Sequence, residues 1–235
     1  MELITKSLPL EEIENVLYAR QFAYDILRRF FVEEPSREYI RQFVQKNMID
    51  LFPFKEDSPE IREGVAAVKD YLATHDVVNI ESHYQQLHWD YTRMFIGPFA
   101  LPASPWESSY VRKDGLLFQG TTMEVRKLYD KYGVAVRDFN IEADDHVGLE
   151  LDFMYHLNEL CLSLCQESDF EKIKELIEEQ SKFLRNHLLL FVPQLCEKMI
   201  SAANTSFFVG MAKILPNYLK FDLEVLHELL NTEIH

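Results

Sequence analysis

The stretch Leu10–Phe31, LEEIENVLYARQFAYDILRRFF, decides the fold. Ile13, Val16, Leu17, Tyr24, Leu27 and Phe31 recur at helical spacing and form one broad apolar face. No β period fits them. Working outward, Pro35-Ser36 closes this helix, and Ser36 is placed to cap a second one running to about Met48. Ser58-Pro59-Glu60 pairs an N-cap with a proline in the first turn and predicts a helix to about His75. Asn79 is the expected cap of the next, whose stripe is Ile80, Tyr84, Leu87, Tyr91, Met94 and Phe95. Trp89 falls off that stripe.

The C-terminal half reads the same way. Thr121-Thr122-Met123-Glu124 is a capping box for a helix closing near Gly133. Asp144 or Asp145 is expected to cap a long helix to about Gln166, with Val147, Leu151, Met154, Leu157, Cys161 and Leu164 facing inward. Ser168-Asp169-Phe170-Glu171 is a second capping box. Three more helices are predicted, with breaks near Pro193, Asn204 and Pro216-Asn217, the last capped by Asp222. There is no repeat, no low-complexity tract and no train of alternating strands. Lys113-Asp114-Gly115 could turn one short hairpin. The expectation is an all-α fold: a single-domain bundle of roughly ten helices over residues 1–235. One long Gly/Pro-rich central loop, at about 96–120, interrupts it as a candidate hinge, and the sequence leaves open a monomer or a homodimer.

Composition narrows the function. The net charge of −15 argues against nucleic acid or an anionic membrane and favours cationic ligands or basic peptides. Cys161, Cys165 and Cys196 give no disulfide framework and no zinc pattern, and are expected as buried thiols. The N-terminus lacks a secretory pattern and no uncharged apolar run reaches 18 residues, so no membrane insertion is expected and the cytoplasm is the default compartment. Phosphate loops, dinucleotide fingerprints, nucleophile elbows and HExxH are all absent; no cofactor and no enzymatic activity is expected.

Two blocks carry chemistry. Phe95-Ile96-Gly97-Pro98-Phe99-Ala100-Leu101-Pro102-Ala103-Ser104-Pro105-Trp106-Glu107-Ser108-Ser109-Tyr110 is a proline-braced loop rich in apolar side chains. Phe99 and Leu101 either pack inward or form a surface. Trp106 and Tyr110, each an apolar body with a polar tip, suit ligand contact. Glu142-Ala143-Asp144-Asp145-His146, with Glu150 one turn on, gathers four carboxylates and an imidazole at a helix start. Acids there cap backbone N–H groups and complement the dipole. Only one side chain can be the N-cap, so a surplus remains that suits guanidinium groups. A metal site with His146 and Glu150 at i and i+4 is the alternative. It would make the chain a metal-dependent hydrolase using Glu142, Asp145, His146 and Glu150.

Taken in order, these blocks resemble the TorD/DmsD family of redox enzyme maturation chaperones. Tyr91-Thr92-Arg93-Met94-Phe95-Ile96-Gly97-Pro98 resembles that family's aromatic-x-R-L-F-x-G-P helix end. Pro102-x-x-Pro105-Trp106-x-Ser108 is similar to its P-x-x-P-W-x-S loop, and Glu142-Ala143-Asp144-Asp145-His146 to its E-P-x-D-H signature. His187 and Thr205–Ala212 resemble later helices. The loop and central helices look closest to the DmsD branch. Ala143 stands where the signature usually has Pro, and Leu190 near a common Trp. The resemblance implies a cytoplasmic chaperone for the twin-arginine signal peptide of a molybdenum-containing, DMSO reductase-type precursor. Such a chaperone delays export until the cofactor is inserted. Twin-arginine translocase components are a second implied partner. By position, Tyr91, Met94, Phe95, Pro105, Trp106, Tyr110, Asp145 and His146 would line or support the peptide site. Glu142 and Asp144 complete its acidic side.

Overall fold

The structure is a computed structural model that describes residues 6–97, 100–111, 120–134 and 143–234. The predicted Lys113 turn, Phe99 and Glu142 lie outside the described residues. The fold is all-α. In chain order the helices are α1 (Leu10–Phe31), α2 (Arg37–Gln45), α3 (Pro59–Thr74), α4 (Glu81–Phe95), α5 (Ser108–Val111), α6 (Gly120–Lys131), α7 (Val147–Glu167), α8 (Phe170–Phe183), α9 (Leu189–Ala202) and α10 (Ser206–Leu230). A π-turn, Leu184–Leu188, joins α8 to α9. Strands β1 (Lys6–Leu8) and β2 (Thr232–Ile234) pair in parallel and tie the two ends of the described chain together, a pairing with no sequence signal.

The helix starts follow local chemistry where short polar side chains have no competing partner. Ser36 accepts from the Tyr39 N–H and Ser58 from the Ile61 N–H, with Pro59 in the first turn of α3. Asp169 caps α8 through the Lys172 N–H, while Ser168 takes the left-handed conformation that ends α7. Elsewhere the expectation fails. Asp76, not Asn79, accepts the N–H groups of Val78 and Asn79, and α4 starts after Ile80. α6 already begins at Gly120, so Thr121 is inside it. Pro193 and Pro216 lie within α9 and α10 and break neither.

Two long helix pairs frame the core. α10 runs along α3, and α1 along α7. At the first crossing the backbones touch: a Cβ built on Gly64 would sit 2.7 Å from the Gly210 carbonyl oxygen. At the second, a Cβ on Gly148 would collide with the Val32 backbone, so the start of α7 is pressed against the end of α1. That contact fixes where the segment before α7 emerges.

The core contains a buried polar knot. Arg20 is fully buried and donates to Asp222 through Nε (2.6 Å) and Nη2 (3.0 Å), to Asn158 Oδ1 (2.6 Å) and to Gln180 Oε1 (2.8 Å). The Tyr24 hydroxyl donates to the same Asp222 carboxylate at 2.7 Å. Burial pulls the Arg20 pKa down, but the Asp222 charge overrides it and the guanidinium ends well above its ordinary value. Asp222 therefore locks α10 to α1, and is not the helix cap its local sequence suggested. Cys161, Cys165 and Cys196 are free, buried thiols, each pushed up by burial.

Candidate functional site

The site is built by the segment entering α7 and the turn entering α5. Trp106 and His146 form an antiparallel backbone bridge. Around it, the Glu107 N–H donates to the Asp145 carbonyl (2.9 Å) and the Val147 N–H to the Pro105 carbonyl (2.8 Å). The proline-braced loop and the acidic helix start therefore lie side by side. The Trp106 ring meets the His146 ring edge-on, with centroids 6.1 Å apart.

The acids themselves are used internally. The Asp145 carboxylate accepts the Ser108 N–H on Oδ2 and the Thr122 hydroxyl on Oδ1, both at 2.9 Å. It caps α5 and anchors α6. Asp144 pairs with Arg126, and its carbonyl accepts from the Tyr129 hydroxyl at 3.0 Å. Both residues are buried. The N-cap of α7 is His146, whose Nδ1 accepts from the Gly148 N–H at 3.1 Å. The expected surplus of open negative charge at 144–145 is thus turned inward, because long-range donors claim both carboxylates. Burial holds the His146 pKa down to about 4 against the opposing pull of Asp145, so the imidazole is neutral. A neutral ring that accepts on Nδ1 carries its hydrogen on Nε2.

The aromatic candidates divide into two groups. Tyr91, Met94 and Phe95 on α4 are buried, with Phe95 against Phe31 and Tyr91 against Phe208. Pro105 is buried too. These residues shape the site from behind. Trp106 and Tyr110 are half-buried and reach the surface; Tyr110 packs on Phe191 of α9, and the Lys198 ammonium lies 4.4 Å above its ring. Beside them an open groove of about 480 Å³ is lined by Pro102, Glu197, Lys198, Ser201 and Ala202. Trp89 is 61 % exposed on the outer face of α4.

Sequence reasoning assigned no role to Glu107. It is buried under the turn, and its Oε2 lies 3.0 Å from Nδ1 of His187 on the π-turn. Glu150 lies close by, fully buried. Glu107 and His187 stand 80 residues apart in the chain, so no local pattern could have paired them.

The metal alternative has no support. Among the described residues no group of three or more His, Cys, Asp or Glu side chains could hold a metal ion. A larger cavity, about 630 Å³, lies between α6, α7 and α8, around Tyr132, Leu160, Leu164 and Leu176. It is at the far end of α7, which at 21 residues spans about 30 Å.

The family model described as nitrate reductase delta subunit, the TorD family, matches residues 55–197. The chain belongs to this family. It is 29% identical over 166 residues to the chaperone protein TorD of Photobacterium profundum, covering 70% of this chain and 74% of that one. It is 29% identical over 194 residues to the chaperone protein TorD of Aliivibrio fischeri, covering 82% and 87%. The chaperone protein TorD of Aliivibrio salmonicida is 23% identical over 92% of this chain and 99% of its own. These relatives are chaperones, a non-enzymatic role, and all three bear the TorD name, so they do not favour the DmsD branch. The TorD-family match runs from just before α3 into α9 and includes the whole Trp106–His146 junction. The two departures from the family pattern sit quietly. Ala143 is buried in a turn whose carbonyl accepts the His146 N–H, and Leu190 is half-exposed on α9. Among the described residues no helix is long and apolar enough to cross a membrane.

Proposed function

We propose that this TorD-family chaperone binds the twin-arginine signal peptide of a molybdenum-containing, DMSO reductase-type precursor in the cytoplasm and withholds it from export until the cofactor is in place. Twin-arginine translocase components are a second partner of the loaded state. The observation that carries the reading is the Trp106–His146 bridge. It fuses the proline-braced loop to the acidic helix start and leaves Trp106 and Tyr110 at the surface. A leader of this type joins a cationic pair to an apolar, helix-prone segment, and two aromatic bodies over a rigid support give that segment anchors. The groove between Pro102 and α9 runs beside them, and its exposed Glu197 offers a carboxylate for an arginine. With a net charge of −15, the chain draws a cationic leader in from a distance. Asp144, Asp145 and His146 act from beneath, holding the turn that presents the aromatics.

Titration calorimetry with a synthetic leader tests this. The twin-arginine peptide should bind, its twin-lysine counterpart about tenfold or more weaker, and raised salt should weaken the first. Equal affinity for both peptides, or no heat from either, would overturn the reading.

A further inference from the structure

The Trp106 turn rests on titratable groups that the docking face does not touch. Glu107 hangs from the turn, Glu150 rises from α7 one helical step beyond His146, and His187 reaches in from the π-turn. Glu107 is 1% exposed and Glu150 0%. Asp145 has two donors on its carboxylate, and Glu107 has the His187 Nδ1. Neither oxygen of Glu150 meets a donor. A buried carboxylate without a donor, beside other acids, is the least tolerable member of the group. The proton therefore resides on Glu150.

We propose that Glu150 is a positioning residue for the Trp106 turn: as a neutral acid it donates to Glu107 and completes a strap, His187–Glu107–Glu150, from the π-turn through the turn to α7. The proposal rests on the reading of that turn as the docking face and deepens it by naming what holds the face in place. Burial, then the charges of Glu107 and Asp145, push the Glu150 pKa well above the carboxylate range, in agreement with this placement. The wider surroundings offer no rescue for a second charge. From α6, the Tyr129 hydroxyl donates to the Asp144 carbonyl and is itself driven up by burial and by Glu150. Arg126 serves Asp144, and His146 is neutral. Asp152, the next carboxylate along α7, is already paired with Arg28 of α1. The π-turn has its own part. An extra residue in that turn shifts the helix register locally, and such bulges recur at functional sites; here the turn carries the residue that meets Glu107. When Glu150 loses its proton to solvent, Glu107, Asp145 and Glu150 are left as adjacent carboxylates beneath the turn. Their repulsion lifts it and withdraws Trp106 from His146.

The chain has two tryptophans, so Trp89→Phe, at an exposed position, leaves Trp106 as sole reporter. Its emission is followed from about pH 6 to about pH 10, a range that starts above the ordinary carboxylate pKa. The expected result is a shift in emission with rising pH. It is absent when Glu150→Gln is added, because the amide mimics the neutral acid and can still donate. Glu150→Ala, which cannot donate, shows the shifted emission at every pH, with circular dichroism confirming that the helices persist. A flat response without the Gln substitution, or an identical transition with it, overturns the proposal. So does closed-form emission from Glu150→Ala. Leader affinity measured over the same range should fall with the transition and stay level in Glu150→Gln. A protein that never binds leader overturns the docking reading, while the emission titration still decides the strap.

Discussion

Asp222→Ala removes the acceptor on which a fully buried guanidinium depends. The Asp222 carboxylate takes two donors from Arg20 and one from Tyr24, at 2.6, 3.0 and 2.7 Å. After truncation Arg20 keeps only Asn158 and Gln180, both neutral. An unpaired buried charge costs about 3–5 kcal/mol, and the orphaned Tyr24 hydroxyl about 1 kcal/mol more. Against a usual domain stability of about 5–15 kcal/mol, that is about a quarter or more of the total. Urea unfolding followed by circular dichroism should show the midpoint falling accordingly. Asp222→Asn should cost less, since one acceptor remains. The paired change Arg20→Met with Asp222→Leu should recover most of the loss, because it removes the charge and its partner together. A loss below about 1 kcal/mol for Asp222→Ala, well under the cost of a stranded buried charge, would refute the assignment. A paired variant as unstable as the sum of its parts would do the same.

Three further outcomes are expected. Glu150 has a folded-state pKa above its unfolded one, so the native state holds a proton the unfolded chain has released, and stability falls as pH rises above about 4.5. Glu150→Gln should remove that slope, worth up to about 1.4 kcal/mol per pH unit; urea midpoints at several pH values check it, and parallel slopes in both proteins would count against it. Gly148→Ala should drive a methyl group into the Val32 backbone and cost about 1–3 kcal/mol in thermal or urea unfolding, with leader binding weakened as the start of α7 shifts. Trp89→Ala, at an exposed site on α4, should leave leader affinity within about twofold, while Trp106→Ala lowers it about tenfold or more in the same calorimetric titration.

The helical class was legible because its signal is short-range. The apolar face of Leu10–Phe31 needs only a 3.6-residue period, and of the residues it named Ile13, Leu17, Tyr24, Leu27 and Phe31 are buried and Val16 is half-buried, with Ala23, Ile26 and Phe30 buried beside them. Ser36 and Ser58 were readable as caps for the same reason. Readings failed where a distant partner outweighed a local rule. Pro216 removes a hydrogen bond and costs about 3 kcal/mol in a free helix. In α10 it is flanked by Ile214, Leu215, Tyr218 and Leu219, all fully buried, and their packing keeps the helix whole. Asp222 looked like a cap because its partner, Arg20, is 202 residues away. Asp144 and Asp145 were expected at the helix end, yet Arg126, Thr122 and the Ser108 N–H reach them first and His146 takes the cap. The adjacency of the Trp106 loop and the acidic segment was implied by the family resemblance, which assigned both to one peptide site. The inward turn of the acids and the strap beneath them depend on tertiary contacts that no spacing encodes.

Where the leader touches the protein is the question on which the proposed function turns. A twin-arginine leader carrying a photoreactive phenylalanine in its apolar segment can be crosslinked to the intact chain and the adduct mapped by mass spectrometry. Adducts are predicted on the Trp106–Val111 turn and the facing residues of α9. Adducts concentrated instead at the far end of α7, around Leu160, Leu164 and Leu176, would contradict the docking face.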